Sequence, residues 1–307
     1  MTAIQPAGTT LPATRGVARD RDEAATTVRY KRHRGRSIRT GIQALVIVVW
    51  CLLPFYWMII TAFRQVDYTY DTAFWPTHVT LDNFATALST QLGNHLGQAI
   101  LNSAIIGGCV TIVALIVGTS AAYTLARLEF RGKSIVAGLI LAASMFPGVA
   151  LLSPLFQLFT NIGWNGTYPA LIIPETSFVL PLTVYTLTSF LREMPWDLEE
   201  AARIDGCTRI QAFRRVILPL AAPAVFTTAI LAFIASWNEY LISSQLYGSA
   251  TEPVTVAIAH FTGSQPHVEP YTTVMAAGTI VTVPLVVLVL VFQRRIVSGL
   301  TAGGVKG

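Results

Sequence analysis

Residues 195–223 read PWDLEEAARIDGCTRIQAFRRVILPLAAP and separate two very apolar stretches. Nearly all the charge in this part of the chain lies within that segment. Of the 307 residues, 53% are apolar and only 12% are charged, whereas about a quarter of the residues in a soluble protein are charged. A short charged loop between long apolar segments is typical of a polytopic membrane protein.

Blocks that contain no Asp, Glu, Lys or Arg, or a single Glu, mark the membrane spans. About 20 apolar residues cross the hydrocarbon core of a bilayer. The block 134–191 is long enough for two spans, which the polar, glycine-containing turn at 161–166 divides. The pattern therefore predicts an all-α polytopic membrane protein whose six transmembrane helices cover about 41–63, 97–126, 134–160, 168–191, 216–247 and 273–293.

Lysine and arginine lie almost entirely on one side of these predicted spans. Nine of the 21 are in the first 40 residues, and eleven more are in the loop after the second span, the loop 192–215 and the C-terminal tail. Only Arg64 falls on the other side. By the positive-inside rule we expect a multi-pass protein of the plasma (inner) membrane with both termini in the cytoplasm.

The same pattern divides the chain into three parts. Residues 1–40 form a basic cytoplasmic tail whose composition predicts partial disorder, 41–298 form the transmembrane domain, and 299–307 form a cytoplasmic C-terminal tail. The first tail holds nine basic and three acidic residues, which is enough to account for the net charge of +5. A basic tail beside a membrane span predicts contact with membrane lipid rather than with nucleic acid.

Several kinds of chemistry are missing from the sequence. Gly132-Lys133-Ser134 resembles the end of a P-loop, but the position of the first glycine is Arg127. There is no Ser/His/Asp arrangement, no paired carboxylates at one membrane level and no His/Cys spacing for a metal site. We therefore predict a non-catalytic chain that binds no metal or cofactor, and any ATP-driven function would need a separate ATPase.

The loop 192–215, which we call the charged loop, is predicted to form two short helices. Pro195 suits the start of the first helix, Gly206 ends it, and Thr208 can cap the second. Leu198, Ala201 and Ala202 would form a narrow face of small residues beside Glu200. A helix lying on the membrane would carry large apolar residues and Lys or Arg instead. The pattern favours docking of another protein.

Polar residues inside the predicted spans suggest a path for a hydroxylated solute. On a continuous fifth helix, Ser236, Glu239 and Ser243 would share one face, and a carboxylate in a membrane is normally directed into the bundle. The alternative roles are helix–helix contacts, or snorkelling of Glu239 to the outer surface. The candidate path residues are Gln157, Glu175, Thr176, Tyr185, Ser236, Asn238, Glu239 and Ser243.

Several motifs resemble those of a known family. Within and just after the charged loop, Glu200-Ala201-Ala202, Asp205-Gly206, Phe213 and Leu218-Pro219 resemble the EAA loop of ABC-importer permeases. Further similar stretches are Ala121-Ala122-Tyr123, Ala126-Arg127, Met145-Phe146-Pro147, Trp237-Asn238-Glu239 and 292–307. Over roughly residues 41–307 the chain is similar to the second permease subunit of carbohydrate ABC importers of the maltose and trehalose type, with the mycobacterial-type trehalose importers most similar.

This resemblance implies a type I ABC importer permease fold and a role for the charged loop as the coupling helix. Its coupling residues would be Glu200, Ala201, Ala202, Asp205 and Gly206. In the C-terminal tail, Gly303, Gly304 and Lys306 would contact the ATPase. The implied partners are a homologous second permease, an ATPase dimer that uses ATP and Mg²⁺, and an extracellular sugar-binding protein or lipoprotein. Cys207 and the long basic tail depart from the usual family pattern.

The resemblance implies import of a disaccharide, with trehalose as the first candidate and maltose or another oligosaccharide as the alternative. A different class of function is secondary transport driven by an ion gradient, in which Glu239 would carry protons. That class leaves the charged loop without a role.

Overall fold

The computed structural model describes residues 15–90, 93–261 and 271–302, with side chains described over 39–90, 93–261 and 271–293. Within these ranges the chain is almost entirely helical, and its one isolated β-bridge joins Arg64 to Val79. The all-α fold class is confirmed. The chain divides into two compact units, one ending at Trp57 and one beginning at Met58.

Helices follow one another from the basic N-terminal tail onward. In chain order they are α1 Arg15–Ala62, α2 Asp82–Leu88, α3 Leu96–Arg127, α4 Lys133–Ser144, α5 Leu152–Asn161, α6 Tyr168–Glu193, α7 Asp197–Ile204, α8 Arg209–Ala212, α9 Leu218–Leu220, α10 Ala222–Trp237, α11 Ser243–Leu246, α12 Val254–Ala259 and α13 Tyr271–Ala302. Short 3₁₀ segments cover Val66–Tyr68 and Gly148–Leu151, and a π-helical turn covers Phe213–Ile217.

Four helical segments are long and apolar enough to cross a membrane: Arg39–Ala62, Leu96–Arg127, Tyr168–Glu193 and Tyr271–Gln293. Two further candidate spans each consist of two helical pieces, Lys133–Ser144 with Gly148–Asn161 and Arg209–Leu220 with Ala222–Trp237. The two pieces meet at a bend of 87° in the first pair and 74° in the second, and each pair is long and apolar enough only when its members are taken together. Counting each bent pair as one span gives six spans, the number predicted.

The two bends coincide with prolines. α4 ends at Ser144, and Pro147 follows in an extended conformation before the chain turns helical again. Proline has no N–H to continue a helix, which explains the break. At the second bend Pro223 lies in the first turn of α10, where a missing N–H is harmless.

The core of the second unit forms where α3 packs along α6 and α10. Small residues bring α3 and α6 close together: a Cβ added at Gly118 would lie 2.6 Å from Cγ2 of Thr183. Membrane helices commonly approach each other through such small residues. The buried Ile106, Val110 and Ala114 continue this contact along α3.

The predicted fifth span differs from the structure in its outer part. α10 ends at Trp237, and the chain leaves the helix before α11 begins at Ser243. The placement of Ser236, Glu239 and Ser243 on one face of a continuous helix is therefore wrong. Glu239 stabilises the chain after the interruption, since its Oε1 and Oε2 accept hydrogen bonds from the backbone N–H groups of Ile242 and Ser243 at 2.8 and 2.9 Å.

Candidate functional site

A buried carboxylate joins three segments in the middle of the second unit. Glu175 lies on α6 and is only 2% exposed. Its Oε2 accepts a hydrogen bond from the hydroxyl of Ser236 at the end of α10. Its Oε1 accepts one from the hydroxyl of Ser243 at the start of α11, at 3.1 Å. Two serines that do not share a helix face are thus brought together by one acid.

Beside this cluster is a cavity of about 310 Å³. Glu175, Ser236 and Glu239 line it, together with aromatic and aliphatic side chains from three segments. Phe146 comes from the break after α4, and Phe178 comes from α6. The site therefore combines a few polar groups with apolar walls, as small-molecule sites commonly do.

Four of the predicted path residues come together here: Glu175, Ser236 and Glu239 line the cavity, and Ser243 donates to Glu175 beside it. The remaining four lie outside this cavity. Asn238 donates to the carbonyl of Ile234, Gln157 is exposed and donates to Ser153, Tyr185 is exposed, and Thr176 is buried.

Sequence reasoning missed the aromatic wall. Tyr185, the one aromatic side chain among the predicted path residues, is exposed and does not line the cavity. Phe146 and Phe178 do line it. The one available signal was Phe146, which directly precedes the helix-breaking Pro147.

The charged loop forms the two short helices that were predicted, α7 and α8. Gly206 has φ +89°, a left-handed conformation that glycine adopts without strain, and it ends α7. The Thr208 hydroxyl accepts the N–H of Gln211, while the Gln211 side chain accepts the N–H of Thr208. This reciprocal capping box begins α8.

One side of α7 faces the protein body. Glu199 is 6% exposed, and its Oε1 accepts a 2.7 Å hydrogen bond from the hydroxyl of Tyr123 on α3. Ala202, one turn later, is also buried. Of the five predicted coupling residues, Glu200, Ala201, Asp205 and Gly206 are exposed, whereas Ala202 lies on the inner side.

The exposed side of the charged loop carries two large apolar residues that sequence reasoning did not select. Ile204 is 85% exposed and Ile210 is 70% exposed. They flank the Gly206 turn. The signal was present in the sequence, where an isoleucine stands on either side of Gly206. An exposed apolar pair with an acidic neighbour, Glu200, suits contact with another protein.

Arg127 anchors the entry to the charged loop. It is buried, its Nη2 donates to the carbonyl of Met194 at 2.9 Å, and its guanidinium lies 4.7 Å from the ring centre of Trp196. A cation over an indole face is attractive. The C-terminal end of α3 therefore holds both the entry to α7, through Arg127, and its inner side, through Tyr123.

Two further predictions concern the C-terminal tail and metal binding. Gly303, Gly304 and Lys306 lie outside the described residues. Within the described part of the chain no three His, Cys, Asp or Glu side chains are grouped so that they could hold a metal ion.

The comparison with known proteins identifies the family. The family model for the "Binding-protein-dependent transport system inner membrane component" matches residues 114–301, which include the Glu175 cluster and the charged loop. The chain belongs to this family. It is thus an inner membrane component of a transport system that depends on a binding protein, and the resemblance stated from the motifs is confirmed.

Members of the binding-protein-dependent permease family match this chain over nearly their full length. The trehalose transport system permease protein SugB of Mycobacterium tuberculosis is 44% identical and covers 85% of this chain and 95% of the relative. The trehalose/maltose transport system permease protein MalG of Thermococcus litoralis is 39% identical, and the match covers 87% of this chain and 95% of the relative. Both relatives are permease subunits, and this similarity supports the prediction that the chain is a non-catalytic membrane subunit.

Solved structures show the same fold. A chain from the crystal structure of a bacterial ABC transporter involved in the import of the acidic polysaccharide alginate matches with a TM-score of 0.71. The match covers 85% of this chain and 96% of that chain at 19% identity. The ABC importer permease fold is therefore confirmed.

Proposed function

We propose that this chain is one permease subunit of an ATP-driven importer of a neutral disaccharide, with trehalose as the first candidate and maltose as the second. The observation that carries the proposal is the similarity to SugB and MalG over about 95% of each relative. Their names state transport of trehalose and of trehalose or maltose. The proposal transfers that substrate class to this chain.

The cavity at Glu175 supports a sugar as substrate. Neutral sugars present hydroxyl groups that donate and accept hydrogen bonds, and apolar faces of C–H groups. The carboxylate oxygens of Glu175 and Glu239 and the hydroxyl oxygen of Ser236 can each accept a further hydrogen bond, while Phe146 and Phe178 offer aromatic surface. Ligand sites commonly enclose about 300–1,000 Å³. At about 310 Å³ this cavity suits half of a path whose other half comes from the second permease.

The proposed complex contains three further kinds of subunit. A homologous permease completes the path, an ATPase dimer binds ATP and Mg²⁺ on the cytoplasmic side, and an extracellular sugar-binding protein or lipoprotein delivers the substrate. Both termini are proposed to be cytoplasmic because twenty of the 21 basic residues lie on the same side of the predicted spans. The C-terminal residues Gly303, Gly304 and Lys306 are proposed to contact the ATPase.

The charged loop is proposed to transmit movement between the ATPase and the spans. Glu200, Ala201 and Ile204 would face the ATPase, whereas Glu199 holds α7 to α3 through Tyr123. Since α3 packs along α6, a rigid-body shift of α7 reaches the segment that carries Glu175. Such a two-state movement would open the cavity to one side of the membrane and then to the other.

Uptake by the intact complex in vesicles tests the proposal. With ATP inside and binding protein outside, radiolabelled trehalose should enter, and unlabelled trehalose should compete more strongly than maltose. An uncoupler should leave uptake unchanged while ATP is held constant. Uptake that follows the proton gradient and ignores ATP would contradict the proposal and restore the ion-driven alternative, which family membership already disfavours.

A further inference from the structure

A second, larger cavity lies outside the path around Glu175. It encloses about 800 Å³ between the C-terminal half of α3 and the segment from α8 to α10. We call it the inner groove, and its side chains are mostly apolar. Its lining along α3 runs from Leu115 to Leu128, and Arg209, Arg214 and Val225 line the opposite side.

Two of the hydroxyl groups that line the inner groove are bonded within α3. The Ser120 hydroxyl donates to the carbonyl of Ile116 at 2.8 Å, and the Thr124 hydroxyl donates to the carbonyl of Ser120 at 3.0 Å. Their hydrogens are used within α3. The wall along α3 therefore presents mainly hydrocarbon, which suits an aliphatic chain.

Two arginines stand where the groove reaches the charged loop. Arg209 and Arg214 both line it, and among the described residues neither makes a hydrogen bond or an ion pair. Arg127, by contrast, donates a hydrogen bond to the carbonyl of Met194 and lies over the ring of Trp196. Two cations at the edge of an apolar groove complement an anion attached to an apolar body.

The length of the groove matches one leaflet of a membrane. From Leu115 to Leu128 the lining residues of α3 extend over about 20 Å, taking a helical rise of about 1.5 Å per residue. Half of a bilayer's hydrocarbon core is roughly 15 Å thick. The arginines lie at the end that the charge pattern assigns to the cytoplasm, the level of the lipid phosphates.

We propose that the inner groove binds an anionic phospholipid of the cytoplasmic leaflet. An acyl chain lies against α3 between Leu115 and Leu128, and the phosphate lies between Arg209 and Arg214. The lipid contacts the chain directly after the coupling helix, so it holds the charged loop at the membrane surface. Basic pockets between membrane helices on the cytoplasmic side commonly bind anionic head groups.

Lipid binding to the intact transporter complex tests this site. The purified, delipidated complex is titrated with phosphatidylglycerol or phosphatidylcholine, and bound lipid is counted by native mass spectrometry. Wild type should prefer phosphatidylglycerol. The double variant Arg209→Gln, Arg214→Gln should bind it roughly tenfold more weakly, whereas the matched control Arg215→Gln, an exposed arginine outside the groove, should keep wild-type affinity.

Two further measurements separate the lipid from other occupants. Val225→Trp narrows the apolar part of the groove and should weaken binding of both lipids, and free glycerol phosphate should not compete. No head-group preference, or an equal loss in the Arg215 control, would overturn the proposal. So would efficient cross-linking of Ser120→Cys to the partner permease, because protein would then cover the groove. None of these readouts depends on sugar uptake.

Discussion

The hydroxyl of Tyr123 donates a 2.7 Å hydrogen bond to Oε1 of Glu199, and this bond joins the membrane helix α3 to the proposed coupling helix α7. The second carboxylate oxygen of Glu199 is buried and has no hydrogen-bond partner among the described residues. The bond from Tyr123 is thus the one described side-chain hydrogen bond that this acid makes. Movement of α7 therefore has a direct polar connection to α3.

Tyr123→Phe should loosen α7 without unfolding the spans. The ring, whose centre lies 4.5 Å from that of Phe213, is kept, but Oε1 of buried Glu199 loses its partner, which leaves both oxygens of this carboxylate unsatisfied. An unsatisfied buried polar group costs about 1–3 kcal/mol. We expect faster hydrogen exchange in α7 and weaker stimulation of ATP hydrolysis by binding protein. Tyr185→Phe, at an exposed tyrosine, is the control, and unchanged exchange in α7 would contradict the prediction.

Glu200→Ala and Ile204→Asp should each uncouple ATP hydrolysis from transport while the protein still inserts. Both side chains are on the exposed side of α7, and truncating a hot-spot residue of an interface weakens binding by about tenfold or more. Co-purification of the ATPase and sugar uptake measure the effect. Glu193→Gln, at the end of α6, is an exposed control. Wild-type coupling in both variants would contradict the assignment of α7 as the helix that docks on the ATPase.

Gly206→Val should have a similar effect for a different reason. The φ of +89° at Gly206 is strained for any residue with a Cβ and most of all for a β-branched one. We expect α7 and α8 to reorient, with a cost of about 1–2 kcal/mol. ATPase co-purification should fall, while Gly41→Val, at a helical glycine with open space around it, should leave co-purification unchanged.

Glu239→Gln should retain a substantial part of ATP-driven uptake, whereas Glu239→Leu should lose much more. The carboxylate accepts the N–H groups of Ile242 and Ser243, and glutamine keeps one acceptor while leucine keeps none. The Leu variant should therefore disturb the start of α11 and the Ser243 contact to Glu175. Equal and complete loss in both variants would indicate that the charge itself is required.

Gly118→Ala should destabilise the contact between α3 and α6 by about 1–3 kcal/mol, because its Cβ would lie 2.6 Å from Cγ2 of Thr183. Adding Thr183→Ser removes that methyl group and should restore much of the loss. Gly108→Ala, where nothing lies within 4 Å, is the matched control. The thermal midpoint of the purified complex measures all three, and equal midpoints for the Gly118 and Gly108 variants would contradict the close approach.

The sequence by itself determined the membrane class, the approximate spans and the two-helix form of the charged loop. These features depend on neighbours along the chain: uncharged blocks long enough to cross a bilayer, a glycine that ends α7, and the Thr208 and Gln211 pair that begins α8. The family motifs lie in the same local stretches. Local chemistry was sufficient to identify them.

Only the tertiary structure decided which polar residues meet. Ser236 and Ser243 bind Glu175 across 61 and 68 residues, and Tyr123 binds Glu199 across 76. No periodicity indicates such pairs, because each depends on how α3, α6 and α10 pack. The helix break at Glu239 was missed for a related reason: an acidic residue in an apolar run looks like part of a span until its carboxylate is seen to bind the backbone of the next turn.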